Sequence, residues 1–192
     1  MATRKSKSTT AKSKIKIAKT RLISRNKGVV NLRSLLSGKA ALGHNSGSVG
    51  RLSIFNMKPT VSNKSLLIQS NVISSVPRAS PYLAQMMFYG VDYSDKHDNS
   101  HPLTVSLGNG QYLFMNQPRL DSKVSVRCNC QDYRFTWGYY NHTVGALLGA
   151  QFPRYVRKTT TRPPRNPLQI PGLCKHLTAL VNRLAVDRIV VK

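Results

Sequence analysis

Cys128-Asn129-Cys130 and Cys174-Lys175-His176 hold every cysteine of the chain and one of its five histidines. The two pairs are spaced alike, one residue between ligands, and together supply the donors of a closed tetrahedral zinc site. Three thiolates and one neutral imidazole on Zn2+ leave a net charge of about −1. Arg127, Arg134 and Lys175 are near enough in sequence to offset it. With four protein ligands no coordination position remains for water, so hydrolysis at the ion is not expected. A missing fourth cysteine makes an iron–sulfur cluster a poorer fit, and three cysteines cannot all pair as disulfides. The competing reading is that the thiols merely pack and His176 is an ordinary helix residue. The matched spacing of the two pairs favours the metal. His44, His97, His101 and His142 lie in polar surroundings and are read as solvated.

The elements that must position these ligands follow from periodicity. Lys123-Val124-Ser125-Val126-Arg127 alternates and runs into Cys128. Side chains two apart on a strand share a face, so Cys128 and Cys130 can reach one ion. On a helix, residues two apart diverge by about 200°. Cys174 and His176 therefore converge only if Cys174 stands at or before a helix start. Pro171-Gly172 places the start there, and Leu173, Leu177, Leu180, Val181 and Leu184 then line one face of a helix over about 173–186. A helix N-terminus also favours thiolate over thiol.

Elsewhere, Leu103–Leu107 and Gln111–Met115 flank Gly108-Asn109-Gly110 and predict a hairpin. With the strand before Cys128 this reads as a three-stranded meander. Pro81–Tyr89 predicts a short helix with proline at its first position, and residues 135–148 predict another. Residues 151–171 form a loop rich in proline and arginine, which cannot donate enough backbone N–H groups for helix or central strand. Ile189-Val190-Val191 suggests a short closing strand. The Gly-rich run over residues 43–50 favours loop. The expected organisation is an extended basic arm over 1–50, extended segments and a short helix over 51–102, and a zinc-binding α+β module over 103–192. The fold class is α+β, a small zinc-stapled module with two or three helices.

The formal charge is +24, and there is no glutamate. Residues 1–91 carry 16 Lys/Arg and no acid. Self-repulsion of that size disfavours a compact free state, and a polyanion or an acidic protein surface relieves it. DNA qualifies through counterion release. Arg4, Lys5, Lys7, Lys12, Lys14 and Lys16 in the arm, with Arg157, Lys158, Arg162 and Arg165 in the proline loop, are the candidate contacts. Tyr133, Phe135, Trp137, Tyr139 and Tyr140 could stack on bases or build the core. No apolar run approaches the ~20 residues of a membrane span, and the first residues lack the apolar segment of a secretory signal. No Ser/His/Asp order and no phosphate-binding glycine loop is present, so neither catalysis nor a small-molecule substrate is expected. Reduced thiolates suit assembly in a cytosol.

The Cys-x-Cys … Cys-x-His pattern resembles the SWIM zinc finger, a strand–strand–helix module associated with DNA or protein interaction. Here 43 residues separate Cys130 from Cys174, a longer gap than is usual for that family. A wider resemblance covers residues 124–180. Val126-Arg127-Cys128-Asn129-Cys130, Tyr133-Arg134-Phe135, Arg162-Pro163-Pro164-Arg165-Asn166-Pro167 and Pro171-Gly172-Leu173-Cys174-Lys175-His176-Leu177 look like a segment of structural proteins in tailed-bacteriophage virions. That resemblance implies a zinc-stabilised virion component of the neck or baseplate, assembled in the host cytoplasm with other virion proteins in a symmetric array. The alternative is a nucleic-acid-binding protein using the finger and the arm.

Overall fold

The computed structural model describes residues 30–43, 52–73, 80–108, 110–158, 161 and 163–191. Arg4, Lys5, Lys7, Lys12, Lys14, Lys16 and Arg162 lie outside these residues, as does the glycine run beyond Gly43. The described residues form an α+β fold of two small antiparallel sheets and three α-helices. No described helix is long and apolar enough to cross a membrane.

β1 (Ser53–Ser62) and β2 (Ser65–Ile73) make a hairpin around Asn63, which takes φ +46. Asparagine is among the few residues that accept this left-handed region readily. In β2 the side chains of Leu66, Ile68, Ser70 and Val72 are buried and alternate with less buried neighbours, the period-two mark of a strand.

β3 (Tyr82–Tyr89) follows, where the sequence predicts a helix. Leu83, Ala84, Gln85, Met86 and Met87 favour helix locally. However, β3 is hydrogen-bonded along one edge to β2 and along the other to β7 (Val124–Cys128). Ala84, Met86, Met87 and Phe88 are all buried. A short apolar run covered on both faces carries no period that separates strand from helix, and the two ladders decide the matter.

The hairpin of β5 (Leu103–Gly108) and β6 (Gln111–Met115) forms as predicted, and β4 (Tyr93–Ser94) pairs with the other edge of β6. The meander does not form. β7 leaves this sheet and closes the other, in the order β1-β2-β3-β7. Val124, Ser125, Val126 and Cys128 are all buried, so β7 needs a covered position that the small sheet does not provide. The pairing of β3 with β7 also joins residues 51–102 to residues 103–192 in one sheet.

Residues 131–143 are helical, with a π-helical turn at Tyr133–Trp137 leading into α2 (Gly138–Thr143). The helix predicted to reach residue 148 ends early because Gly145, at φ +75, turns the chain. Ala146–Leu148 then runs along the free edge of β7, with Val126 N–H donating to Ala146 O at 2.9 Å and Leu148 N–H to Val126 O at 3.1 Å. α3 (Lys175–Val186) matches its predicted face: Leu177, Leu180 and Leu184, with Leu173 just before, are fully buried against β3 and β7. The closing strand at 189–191 reduces to a single bridge between Val191 and Arg119.

α1 (Leu32–Ala41) lies inside the stretch expected to be an extended arm. Asn31 caps it, its Oδ1 accepting from Ser34 N–H at 2.9 Å, an interaction worth about 1 kcal/mol. The stronger reason is tertiary: Leu32 and Leu35 are fully buried, and Val30 O accepts from Val124 N–H at 3.1 Å. At Gly38 the helix meets the backbone of Pro171, and an added Cβ would collide with the Pro171 carbonyl oxygen. Gly38→Ala improves helix propensity by about 1 kcal/mol but overpacks against backbone, which costs about 1–3 kcal/mol. The expected net effect is destabilisation, read as a lower urea midpoint. A midpoint equal to or above that of the parent would show that α1 does not brace residues 171–172.

Candidate metal centre

Cys128, Cys130, Cys174 and His176 come together as the ligand spacing predicts. Their donor atoms all lie within 4.8 Å of one another, and all four residues are buried. The ends of two strands, the helical hook of residues 131–143 and α3 meet at this point.

Cys128 is the last residue of β7. Cys130 does not continue the strand. It opens the helical hook, its carbonyl accepting from Arg134 N–H at 3.1 Å and its Sγ from Tyr133 N–H at 3.3 Å. Asn129 fixes the step between them: its Oδ1 accepts from Leu83 N–H at 2.9 Å, and its N–H donates to Leu83 O at 3.2 Å. Cys174 is the N-cap of α3 with extended backbone (φ −75, ψ 168), and Thr178 N–H donates to its carbonyl at 3.0 Å. His176 sits in the first turn. Two helix N-termini therefore converge on the thiols, and both favour negative charge there.

A four-residue relay locks the two halves in register. Tyr133 Oη donates to Val126 O at 2.7 Å and accepts from Asn141 Nδ2 at 3.0 Å. Asn141 Nδ2 also reaches Gly172 O at 3.0 Å, and its Oδ1 accepts from Gly172 N–H at 2.9 Å. Burial pushes the Tyr133 phenol far above its ordinary pKa, so it remains a donor. Gly172 lies against the Trp137 ring, where no Cβ would fit. Asn166 anchors the proline loop in the same way, donating to Thr136 O at 3.0 Å and Ile170 O at 2.7 Å. Residues between Cys130 and Cys174 are thus part of the frame that sets the ligands.

The three thiols differ in acidity. Hydrogen bonds from Cys128 and then Cys174 push the pKa of Cys130 down. Cys128 is driven up, first by its hydrogen bond to Cys130, and Cys174 is driven up chiefly by burial. A cation entering the cluster displaces the remaining thiol protons. The Nδ1 of His176 stands 3.9 Å from Cys128 Sγ, while its Nε2 is buried with no hydrogen-bond partner among the described residues. The ring is oriented by stacking on Tyr82, with centroids 4.4 Å apart.

The charge partner differs from those expected from sequence. Arg127 turns away, donating to Leu148 O at 2.9 Å and Ala150 O at 2.7 Å and lying over the Phe152 ring. Arg134 is exposed and Lys175 only partly covered. Instead Lys39, the one buried Lys or Arg among the described residues, comes in from α1. Its Nζ donates to Thr178 Oγ1 at 3.0 Å. Burial lowers its pKa, and Cys174, when it is a thiolate, raises it. Nothing in the sequence distinguishes it from the other twenty-nine Lys and Arg residues.

Of the other predicted contacts, Arg157, Lys158 and Arg165 line one cavity. Tyr133 and Trp137 are core residues, whereas Phe135 is 40% exposed. Fold and site together define a small α+β protein with a buried Cys3His cluster that could hold a metal ion. No family model, no curated protein and no solved structure matches the chain.

Proposed function

We propose that this protein is a zinc-stapled structural subunit of a tailed-phage virion, in the neck or baseplate region, ordered by its neighbours in a symmetric assembly. The observation that carries the structural role is the burial of all four candidate ligands at the seam between β7, the helical hook and α3. A sulfur and a nitrogen ligand of one tetrahedral zinc ion stand roughly 3.6 Å apart, and the 3.9 Å between Cys128 Sγ and His176 Nδ1 is within a few tenths of an ångström of that. Three thiolates and an imidazole suit zinc better than magnesium or calcium. The ion closes the frame and carries no chemistry.

The virion assignment rests on the resemblance of residues 124–180, on the thiol-reducing cytoplasm such a site needs while it forms, and on the excess positive charge. A finger that reads duplex DNA through α3 is less favoured. Most of α3 is buried, and its exposed Arg183 is tied to Asp187 at 2.8 Å. Quantitative mass spectrometry of purified particles tests the proposal, with a fixed copy number per particle and one zinc per chain as the expected result. Folded protein without metal would sink the staple, and absence from particles would sink the virion role.

A further inference from the structure

A cavity of about 540 Å³ opens between the helical hook and the proline loop. Phe135, Tyr139 and Tyr140 come from the hook, and Tyr155 comes from the loop. Phe135 and Tyr155 pack with centroids 5.0 Å apart yet are 40% and 50% exposed, so ring surface faces outward.

Among the described residues the charged lining is entirely cationic: Arg154, Arg157, Lys158 and Arg165. Arg154 lies over the Tyr139 ring and makes a long 3.4 Å bond to Gln169 Oε1. Among the described residues, Arg165 has only Asp132 within ion-pair reach, at 3.8 Å. Arg157 is the decisive residue. Its Nη2 is buried and has no hydrogen-bond partner among the described residues. A buried guanidinium N–H without an acceptor is unfavourable, and an anion in the cavity would supply that acceptor.

We infer that this cavity binds single-stranded nucleic acid, one unstacked base seated against the Phe135, Tyr139 and Tyr155 rings with its flanking phosphates on Arg157, Lys158 and Arg165. Each half of the lining matches one half of a nucleotide. Aromatic faces stack on any base, and arginine forks grip phosphate oxygens. The volume is within the range of sites that enclose a small ligand. An acidic peptide would satisfy the cations but leave the rings unmatched. Duplex DNA keeps its bases stacked and out of reach. The inference is independent of the assembly role, since a subunit absent from virions could still hold a strand here.

The test uses full-length protein and a short fluorescein-labelled oligothymidylate carrying one 5-iodouracil. Photocross-linking followed by peptide mapping is expected to mark Tyr139 or Tyr155. Anisotropy titrations are expected to show Tyr155→Leu weakening binding by about tenfold with an unchanged salt slope. Arg157→Met should weaken binding and reduce the salt slope by about one phosphate. Cross-links confined to residues 1–27, with both variants binding as the parent does, would overturn the site. So would displacement of the strand by an Asp-rich peptide of equal charge at lower concentration, which would make the cavity a protein-docking site.

Discussion

Cys174→Ser is expected to abolish cooperative folding, and a strong chelator is expected to do the same to the native protein. Structural zinc contributes an apparent ~10–16 kcal/mol in small metal-dependent folds at neutral pH, whereas whole domains are stable by only about 5–15 kcal/mol. Removing one ligand of a four-ligand set therefore removes a quantity comparable with the total. The loss should not stop at residues 103–192, because β7 carries Cys128 and is hydrogen-bonded to β3. Tyr82–Tyr89 and the strands beyond it should melt together with the cluster. Acid should act in the same direction as the chelator. Protons compete for three thiolates and for the imidazole, so the metal-free and unfolded states bind more protons, and stability falls as pH falls. The check is far-UV circular dichroism with a parallel metal assay across a pH series. Native-like ellipticity after complete metal removal would refute the staple.

Asn141→Leu is expected to cost about 3–5 kcal/mol without changing the ligand set. The asparagine is fully buried, and it satisfies the Gly172 N–H, the Gly172 carbonyl and the Tyr133 hydroxyl at once. Leucine shares the branched outline of asparagine but makes none of these bonds, and each buried polar group left unpaired costs about 1–3 kcal/mol. Urea unfolding monitored through Trp137 gives the loss. A separate readout distinguishes a relay from a mere core contact. The variant should still bind one metal per chain but exchange it faster, since the two cysteine-bearing segments are no longer locked to each other. A variant with parental stability would show that the relay does not position the site.

The clustering of Cys128, Cys130, Cys174 and His176 was legible because coordination chemistry restricts residue types and spacing more tightly than folding does. The start of α3 was legible for a related reason: two ligands one residue apart can converge only at a helix end, and Pro171-Gly172 marks it. The hairpin of β5 and β6 carried its own turn. By contrast, β3 reads as helix in isolation because Leu83, Ala84, Gln85 and the methionines carry no β preference, and only its two neighbours make it a strand. Which sheet β7 joins is a long-range choice that alternation cannot encode. α1 was hidden inside a basic stretch, where Leu32 and Leu35 are too few to reveal a buried face. Lys39 and Asn141 act through partners far away in sequence, at Thr178 and Gly172, and leave no local trace.

The split of the cluster across the chain also has a consequence in time. A ribosome delivers about 5–20 residues per second, so the 43 residues between Cys130 and Cys174 occupy roughly 2–9 s of synthesis. During that interval Cys128 and Cys130 exist as an unclosed half-site, and β3 and β7 lack the helix that covers them. The nascent chain thus passes through a stage in which two thiols are open to oxidation and an apolar sheet face is open to misassociation. Under the proposed zinc staple, capture of the ion together with docking of α3 would end both exposures in a single late event. The yield of native protein should then depend on free metal and reducing conditions during translation, more than on either once the chain is complete.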